Sequence, residues 1–255
     1  MKVQKKINLF YLCFLLLIIF SLTQGYYCKY LRGKVCNDLF LNYWSENGFI
    51  ENLQIIFVLL SIILLLKVRY EFKKFNLINF FILIKTLALI YYLGEEISWG
   101  QHFFNWETPN FLKEINNQKE TNIHNISNLF DQLPRTLVFF WCAFGIILIN
   151  FLNSKIKINK NYIYLIKPNK NLIYISFLLI ILSFPDLIID IFNFHPGHVD
   201  KFGKDIPESV FFDIITFNFV RLSELHELVY SFYFLSYSIF IYQIKEKILI
   251  NAKKV

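Results

Sequence analysis

The sequence FIENLQIIFVLLSIILLL occupies residues 49–66 and holds a single charged residue, Glu51, among mostly apolar neighbours. A second run, LINFFILIKTLALIYYL at residues 77–93, carries charge only at Lys85. Each run approaches the ~20 residues that a helix needs to cross ~30 Å of hydrocarbon. Because the backbone in lipid has to satisfy its own hydrogen bonds, the two runs predict a pair of transmembrane helices.

Four more segments of the chain have the same apolar character. The complete set of predicted spans is residues 7–22, 49–66, 77–93, 137–152, 172–189 and 228–244. Periodicity cannot assign such uniformly apolar runs, but their length and their few interior Gly and Pro residues favour helix. The predicted fold is therefore all-α, a polytopic bundle of about six transmembrane helices in one integral membrane domain over residues 1–255.

The composition excludes several classes of protein. The 255 residues are 56% hydrophobic and only 18% charged, and the mean hydropathy is +0.44. This balance is too apolar for a soluble enzyme, a nucleic-acid-binding domain or a disordered chain. The net charge of +7 therefore reports membrane topology before it reports a nucleic-acid partner. The expected partner is the lipid bilayer, and no nucleic acid is expected.

The basic residues indicate the direction of the spans. More than half of the 26 Lys and Arg residues fall on alternate connections, at residues 2–6, 67–74, 155–170 and 245–254. Cytoplasmic connections are enriched in Lys and Arg. Tryptophan prefers the membrane interface, and all four tryptophans fall at or beyond the opposite ends of spans: Trp44, Trp99, Trp106 and Trp141. We expect a bacterial inner-membrane protein with both termini in the cytoplasm.

The N-terminal segment has two interpretations. Residues 1–25 are either a cleavable signal peptide or a retained anchor, and the long apolar run with a poor cleavage site favours the anchor. In the outer connection that follows, Cys28 and Cys36 are eight positions apart. An oxidising compartment would allow these two residues to form a disulfide.

An outer loop over residues 95–133 is predicted to carry much of the chemistry. It opens with Glu95 and Glu96, and acids at a membrane boundary indicate a functional site. If the third helix continued, Glu95, Trp99 and His102 would share one face. Lys85, deeper in the same span, is expected either to neutralise an acid or to extend to the cytoplasmic interface, of which we favour the second.

Residues 110–130 have apolar side chains at helical spacing, which predicts an amphipathic helix on the outer surface. Glu120 and His124, four residues apart, would then form an acid–base pair or bind a divalent metal ion. In the last span Glu224 and Glu227 share a helix face, and Glu51 lies at a comparable depth in the second span. Three spans thus bring carboxylates to the same outer level.

These residues define the predicted outer site. The catalytic candidates are Glu95, Glu96, His102, Glu120, His124, Glu224 and Glu227. The substrate-binding candidates are Glu51, Trp99, Gln101 and Asn125. The cofactor stays open, with Glu120 and His124 as the ligands if a divalent metal ion binds.

The same loop carries a recognisable pattern. It runs GEEISWGQ at residues 94–101, WETP at 106–109, EIN at 114–116, Gln118, and ETNIHN at 120–125. This pattern resembles a signature in a group of uncharacterised bacterial multi-pass membrane proteins. The resemblance implies a shared membrane fold and an outer acidic site, and it brings no activity with it.

Three functions are compatible with such a site. The leading hypothesis is a membrane enzyme that acts on a lipid or lipid-linked substrate through carboxylate and imidazole acid–base catalysis. The second is a small-solute or proton-coupled transporter, against which the spans show no obvious inverted repeat. The third is a non-catalytic accessory or assembly subunit, with a second copy of the chain or another membrane protein as its partner.

Overall fold

Helices make up most of the structure. The structure is a computed structural model that describes residues 2–30, 42–45, 48–71, 77–116, 119–123, 126–156, 172–192, 217 and 219–246. Within these ranges the chain forms helices, turns and loops and no β-strand. The predicted all-α fold is therefore confirmed.

Six long helices in the described ranges match the six apolar segments of the sequence. They are α1 Lys2–Tyr30, α2 Phe49–Tyr70, α3 Leu77–Glu96, α6 Asn128–Ile156, α7 Leu172–Phe192 and α8 Leu222–Gln243. Between α3 and α6 the chain forms a 3-10 turn at Ser98–Gly100 and two short helices, α4 Gln101–Phe104 and α5 Asn110–Ile115. Most of the long helices extend several residues beyond the predicted apolar runs.

The long helices expose apolar side chains. Leu16 and Phe20 on α1, Ile63 on α2 and Ile84 on α3 are all exposed. Among the described helices, α1, α2 and α3 are long and apolar enough to cross a membrane. Such surfaces suit lipid rather than water, which supports a membrane protein. A count of about six spans stays a prediction.

The chain divides into two units, and the first comprises Met1–Asn52 and Ile181–Glu227. Trp44 is almost completely buried in this unit. Its indole Nε1 donates a hydrogen bond to Gln24 Oε1 at 2.8 Å, and its carbonyl accepts one from Arg221 Nη1 at 2.8 Å. The Ser21 hydroxyl shares a 2.8 Å hydrogen bond with Tyr43. Polar side chains thus connect α1 to the segment before α2, and that segment to the one before α8.

Cys28 lies in α1 and not in the outer connection where the sequence places it. The helix continues to Tyr30, and Gln24 Nε2 lies 3.6 Å from Cys28 Sγ, one helical turn away. Cys36 lies outside the described residues, so the disulfide stays a prediction.

The second unit comprises Leu53–Ile180 and Leu228–Val255. From Leu228 to Ser238 the helix α8 is buried at almost every position, with serines among its aromatic residues. Arg69 Nε donates to Asn79 Oδ1 at 3.2 Å between α2 and α3. Just beyond the ends of α2 and α8, Lys245 Nζ lies 2.5 Å from Glu71 Oε1, and this hydrogen bond raises the pKa of the lysine.

The close approach of α1 to the segment before α8 can be tested at Gly25. A Cβ atom there would overlap with Val220 Cγ1 and would lie 2.5 Å from the Phe219 carbonyl oxygen. We expect Gly25→Ala to destabilise the protein by roughly 1–3 kcal/mol, because the backbone has to move apart. The measurement is the melting temperature of the detergent-purified protein.

The matched control is Gly145→Ala in α6. Its Cβ would meet ring atoms of Trp141 no closer than 3.5 Å, which is ordinary contact. Alanine also favours the helix over glycine by about 0.5–1 kcal/mol. We therefore expect an unchanged or higher melting temperature. Equal melting temperatures for both variants would contradict the packing described at Gly25.

Candidate functional site

The predicted site residues fall in both units. Glu51, Glu224 and Glu227 belong to the first unit, and Glu95, Glu96, Trp99, Gln101 and Glu120 belong to the second. A single pocket formed by all of these residues stays a prediction.

The chain reverses direction after α3. This helix ends at Glu96, and Ser98, Trp99 and Gly100 then adopt positive φ angles of 47°, 55° and 102°. A β-carbon on Gly94 would lie only 2.8 Å from the Trp99 ring, so glycine allows the indole to fold back there. The third helix therefore does not continue through residue 102, and the shared face that a continued helix would give Glu95, Trp99 and His102 is not formed.

Trp99 contacts Glu95 because the chain turns after α3, and not because the two residues share a helix face. The indole Nε1 donates to Glu95 Oε1 at 2.8 Å. The other carboxylate oxygen, Oε2, accepts a 2.7 Å hydrogen bond from the backbone N–H of Ile123. Glu95 is only 5% exposed, and each of its two oxygens accepts at least one donor from the loop.

Glu120 occupies a similar environment. Its Oε2 accepts hydrogen bonds from Ser98 Oγ at 2.5 Å and from Asn122 Nδ2 at 2.6 Å. The Asn116 side chain donates to the carbonyl and to Oδ1 of Asn122, both at 2.8 Å. Ser98, Asn116 and Asn122 are all buried. We call Glu95, Ser98, Asn116, Glu120 and Asn122 the loop clasp.

Gln101 extends this network. Its Nε2 donates to Thr108 Oγ1 at 2.8 Å, and its Oε1 accepts from the Thr121 backbone N–H at 2.9 Å. Thr108 Oγ1 in turn donates to the Lys119 carbonyl at 2.6 Å, and the Thr121 hydroxyl donates to the Ser98 carbonyl. Gln101 therefore joins the two halves of the loop, and its predicted contact with substrate stays a prediction.

Among the described residues, the predicted helix over residues 110–130 is formed only at its two ends. The short helix α5 ends at Ile115, and the next helix, α6, begins at Asn128. Between them Lys119 has a φ of 58°, and Glu120 lies in a bend. Glu120 is therefore not in a helix, and its predicted pairing with His124, which lies outside the described residues, stays a prediction. Hydrogen bonds from buried side chains to bent backbone outweigh the apolar spacing here.

Several predicted site residues cannot be placed beside the loop clasp. His124 and Asn125 lie outside the described residues, and so does the side chain of His102. Glu96 is half-buried at the end of α3. In the described part of the chain no three His, Cys, Asp or Glu side chains are grouped as a metal site requires. Metal binding by Glu120 and His124 stays a prediction.

In the first unit the acids lie at the beginnings of α2 and α8. Glu51 and Glu227 are 7% and 6% exposed. Glu224 Oε1 lies 3.1 Å from Arg221 Nη2, so this carboxylate is part of an ion pair. His226 lies between the two α8 glutamates, and its Nε2 is 3.4 Å from Ser183 Oγ of α7.

Some residues of the two units make hydrogen bonds that the sequence analysis did not predict. Ser98, Asn116, Thr121 and Asn122 hold the loop, and all four belong to the signature quoted above. Their presence in that pattern is the signal that could have identified them. Ser183 has no such signal, since a serine within an apolar span is not distinctive.

Compared with descriptions of known protein families, with curated protein sequences and with solved structures, the chain matches none of them. The resemblance to the multi-pass membrane family therefore stays a prediction. The polar residues of that signature still have a physical explanation in this chain, because most of them donate or accept hydrogen bonds within the loop.

A test of the loop clasp is Asn122→Ala. This change removes the amide that donates to Ser98 and Glu120, and it leaves buried acceptors with fewer donors. We expect a loss of roughly 1–3 kcal/mol of stability. The melting temperature should fall, and proteolysis within residues 105–120 should become faster.

The control variant is Asn110→Ala, an exposed asparagine of the same loop. Its removal should change neither measurement. If Asn122→Ala behaved like this control, the loop clasp would not be a stabilising structure.

Proposed function

We propose that the chain is a multi-pass protein of a bacterial inner membrane with both termini in the cytoplasm. The apolar helices α1 to α3 and their exposed apolar side chains support insertion into lipid. The lysine-rich connections support the orientation, because cytoplasmic loops carry the excess of Lys and Arg. The lipid bilayer is its proposed partner.

We further propose that its outer face carries an enzyme site for a lipid or lipid-linked substrate. The observation that carries this proposal is the position of His226 in the first unit. It lies one turn inside α8 between Glu224 and the buried Glu227, and its imidazole faces the Ser183 hydroxyl at 3.4 Å. An imidazole beside a hydroxyl at a membrane boundary suits proton transfer to or from a lipid substrate.

Each residue has a proposed role. His226 is the general acid or base that exchanges a proton with a hydroxyl or water at the reacting group. The 3.4 Å contact to Ser183 is long for a hydrogen bond, so a substrate oxygen can replace the serine at little cost. Glu227 is proposed to stabilise the imidazolium form. Glu95 and Glu120 stabilise the loop and take no proposed part in the reaction, since loop donors occupy their carboxylates.

An accessory role is the second candidate, and the loop surface favours it. Trp99, Phe103, Phe104, Trp106 and Phe111 are all exposed. Phe104 and Trp106 stack with ring centroids 5.8 Å apart and an interplanar angle of 7°. A fixed loop that presents several aromatic side chains is suited to an interface with a membrane partner. The transporter hypothesis has no such observation.

The topology can be tested with single cysteines in a chain whose four native cysteines are replaced. Phe111 and Tyr70 are both well exposed, on the predicted outer and inner sides. In cells with a permeabilised outer membrane, an impermeant maleimide should label Phe111→Cys and not Tyr70→Cys. After lysis both should be labelled. The reverse pattern in intact cells would overturn the proposed orientation.

The catalytic proposal can be tested with purified protein in vesicles that contain a radiolabelled total lipid extract of the expression host. We expect the wild-type protein to convert a lipid that thin-layer chromatography resolves. His226→Ala should lower the rate by about 10²–10⁴-fold, the usual contribution of a general acid or base. Glu227→Gln should lower it as well.

The control for this assay is Glu95→Gln. It should lower the melting temperature while the rate per folded molecule changes little, because Glu95 is proposed to position the loop. Full activity of a folded His226→Ala variant would contradict the catalytic proposal. Absence of any lipid conversion by the wild-type protein would favour the accessory role instead.

A further inference from the structure

A cavity of about 270 Å³ lies within the second unit, among α2, α3, α6 and α8. Most of its lining is apolar or aromatic. Its polar lining residues are Lys85, Tyr92, Tyr233, Tyr237 and Ser238, and Trp141 forms part of the wall. We call this space the Lys85 cavity.

Lys85 places an amino group deep within a predicted span. It is the ninth residue of α3, about 12 Å from the start of the helix at 1.5 Å per residue. Its ammonium donates a hydrogen bond to the Tyr237 hydroxyl and lies 4.0 Å from the centroid of that ring. The side chain therefore contacts α8, which the sequence did not predict. A charge in such surroundings is costly, and an anion beside it lowers that cost.

Ser238 provides a second, independent observation. Its side chain is completely buried, and its Oγ finds no hydrogen-bond partner among the described residues. The residue lines the Lys85 cavity. A buried hydroxyl is destabilising unless it is hydrogen-bonded, so an oxygen atom of a bound molecule would stabilise this position.

The rest of the cavity limits the shape of the ligand. Its volume is slightly below the ~300–1,000 Å³ of ordinary small-molecule sites, which suits one narrow chain better than a bulky ring system. Leu137 and Trp141 line the cavity and are also exposed on α6. An alkyl chain that enters between these residues can continue into the surrounding lipid.

We propose that the Lys85 cavity binds a single-chain carboxylate amphiphile such as a long-chain fatty acid. The carboxylate accepts hydrogen bonds from the Lys85 ammonium and the Ser238 hydroxyl. The alkyl chain lies along the apolar wall beside Trp141. This site is independent of the outer enzyme site proposed above, and it uses none of the same residues.

The test uses the full chain in maltoside detergent and dibromostearate as the probe, because bromine quenches tryptophan fluorescence at short range. We expect saturable quenching that Trp141→Phe largely removes. The methyl ester of the same acid should bind roughly ten-fold more weakly, since it lacks the charge that strengthens a hydrogen bond to an ammonium. Equal affinities for the acid and the ester would overturn the proposal.

Variants assign the site to the named residues. Lys85→Met should weaken dibromostearate binding by roughly ten-fold or more. Lys67→Met removes the same charge from an exposed position near the end of α2 and should leave binding unchanged. A Lys85→Met variant that melts like the wild type and binds equally well would overturn the proposal.

Two further results keep the test decisive if Lys85→Met does not fold. Ser238→Ala is a small change in a buried helix and should weaken binding several-fold with little change in melting temperature. Quenching that rises linearly and equally in the wild type and in Trp141→Phe would show partition of the acid into the micelle only. That outcome would also overturn the proposal.

Discussion

Every backbone N–H and C=O group that lies in hydrocarbon needs a partner in its own segment, because lipid supplies none. Long apolar runs of this chain therefore become helices without help from side-chain periodicity, as α1, α2 and α3 illustrate. The same constraint determines where other conformations occur. Positive φ angles at Ser98, Trp99, Asn105 and Lys119 lie in the loop after α3, where buried side chains supply hydrogen bonds to the backbone.

The acids of that loop have a consequence for function. A carboxylate removed from water needs hydrogen-bond donors. The buried Glu95 receives them from Trp99 and Ile123, and the half-buried Glu120 receives them from Ser98 and Asn122. Their oxygens therefore hold the loop together, and a reacting group would have to displace those donors. The proposed catalysis therefore uses His226, near the start of α8 in the first unit. The proposed ligand site uses Lys85, in the interior of α3 in the second unit.

Some of the candidate site followed from residue types alone, and some did not. The sequence singled out Glu51, Glu95 and Glu227 as site residues; all three are buried, and their role in a site stays a prediction. It assigned the wrong local structure to residues 116 and 119–123, because apolar side chains at helical spacing also occur in an irregular loop with a buried face. It favoured the cytoplasmic interface for Lys85, because snorkelling requires only the helix that carries the lysine, whereas the contact with Tyr237 requires two helices.

The sequence by itself determined the all-α class and the approximate bounds of the long helices, because these depend on local hydropathy and backbone hydrogen bonding. It also identified a loop rich in polar residues between the third and fourth apolar runs. Only the tertiary structure decided which polar groups meet: Trp99 with Glu95, Asn122 with Glu120, and Lys85 with Tyr237. Such pairs depend on chain reversal and on helix packing between residues up to 152 positions apart, which no local pattern encodes.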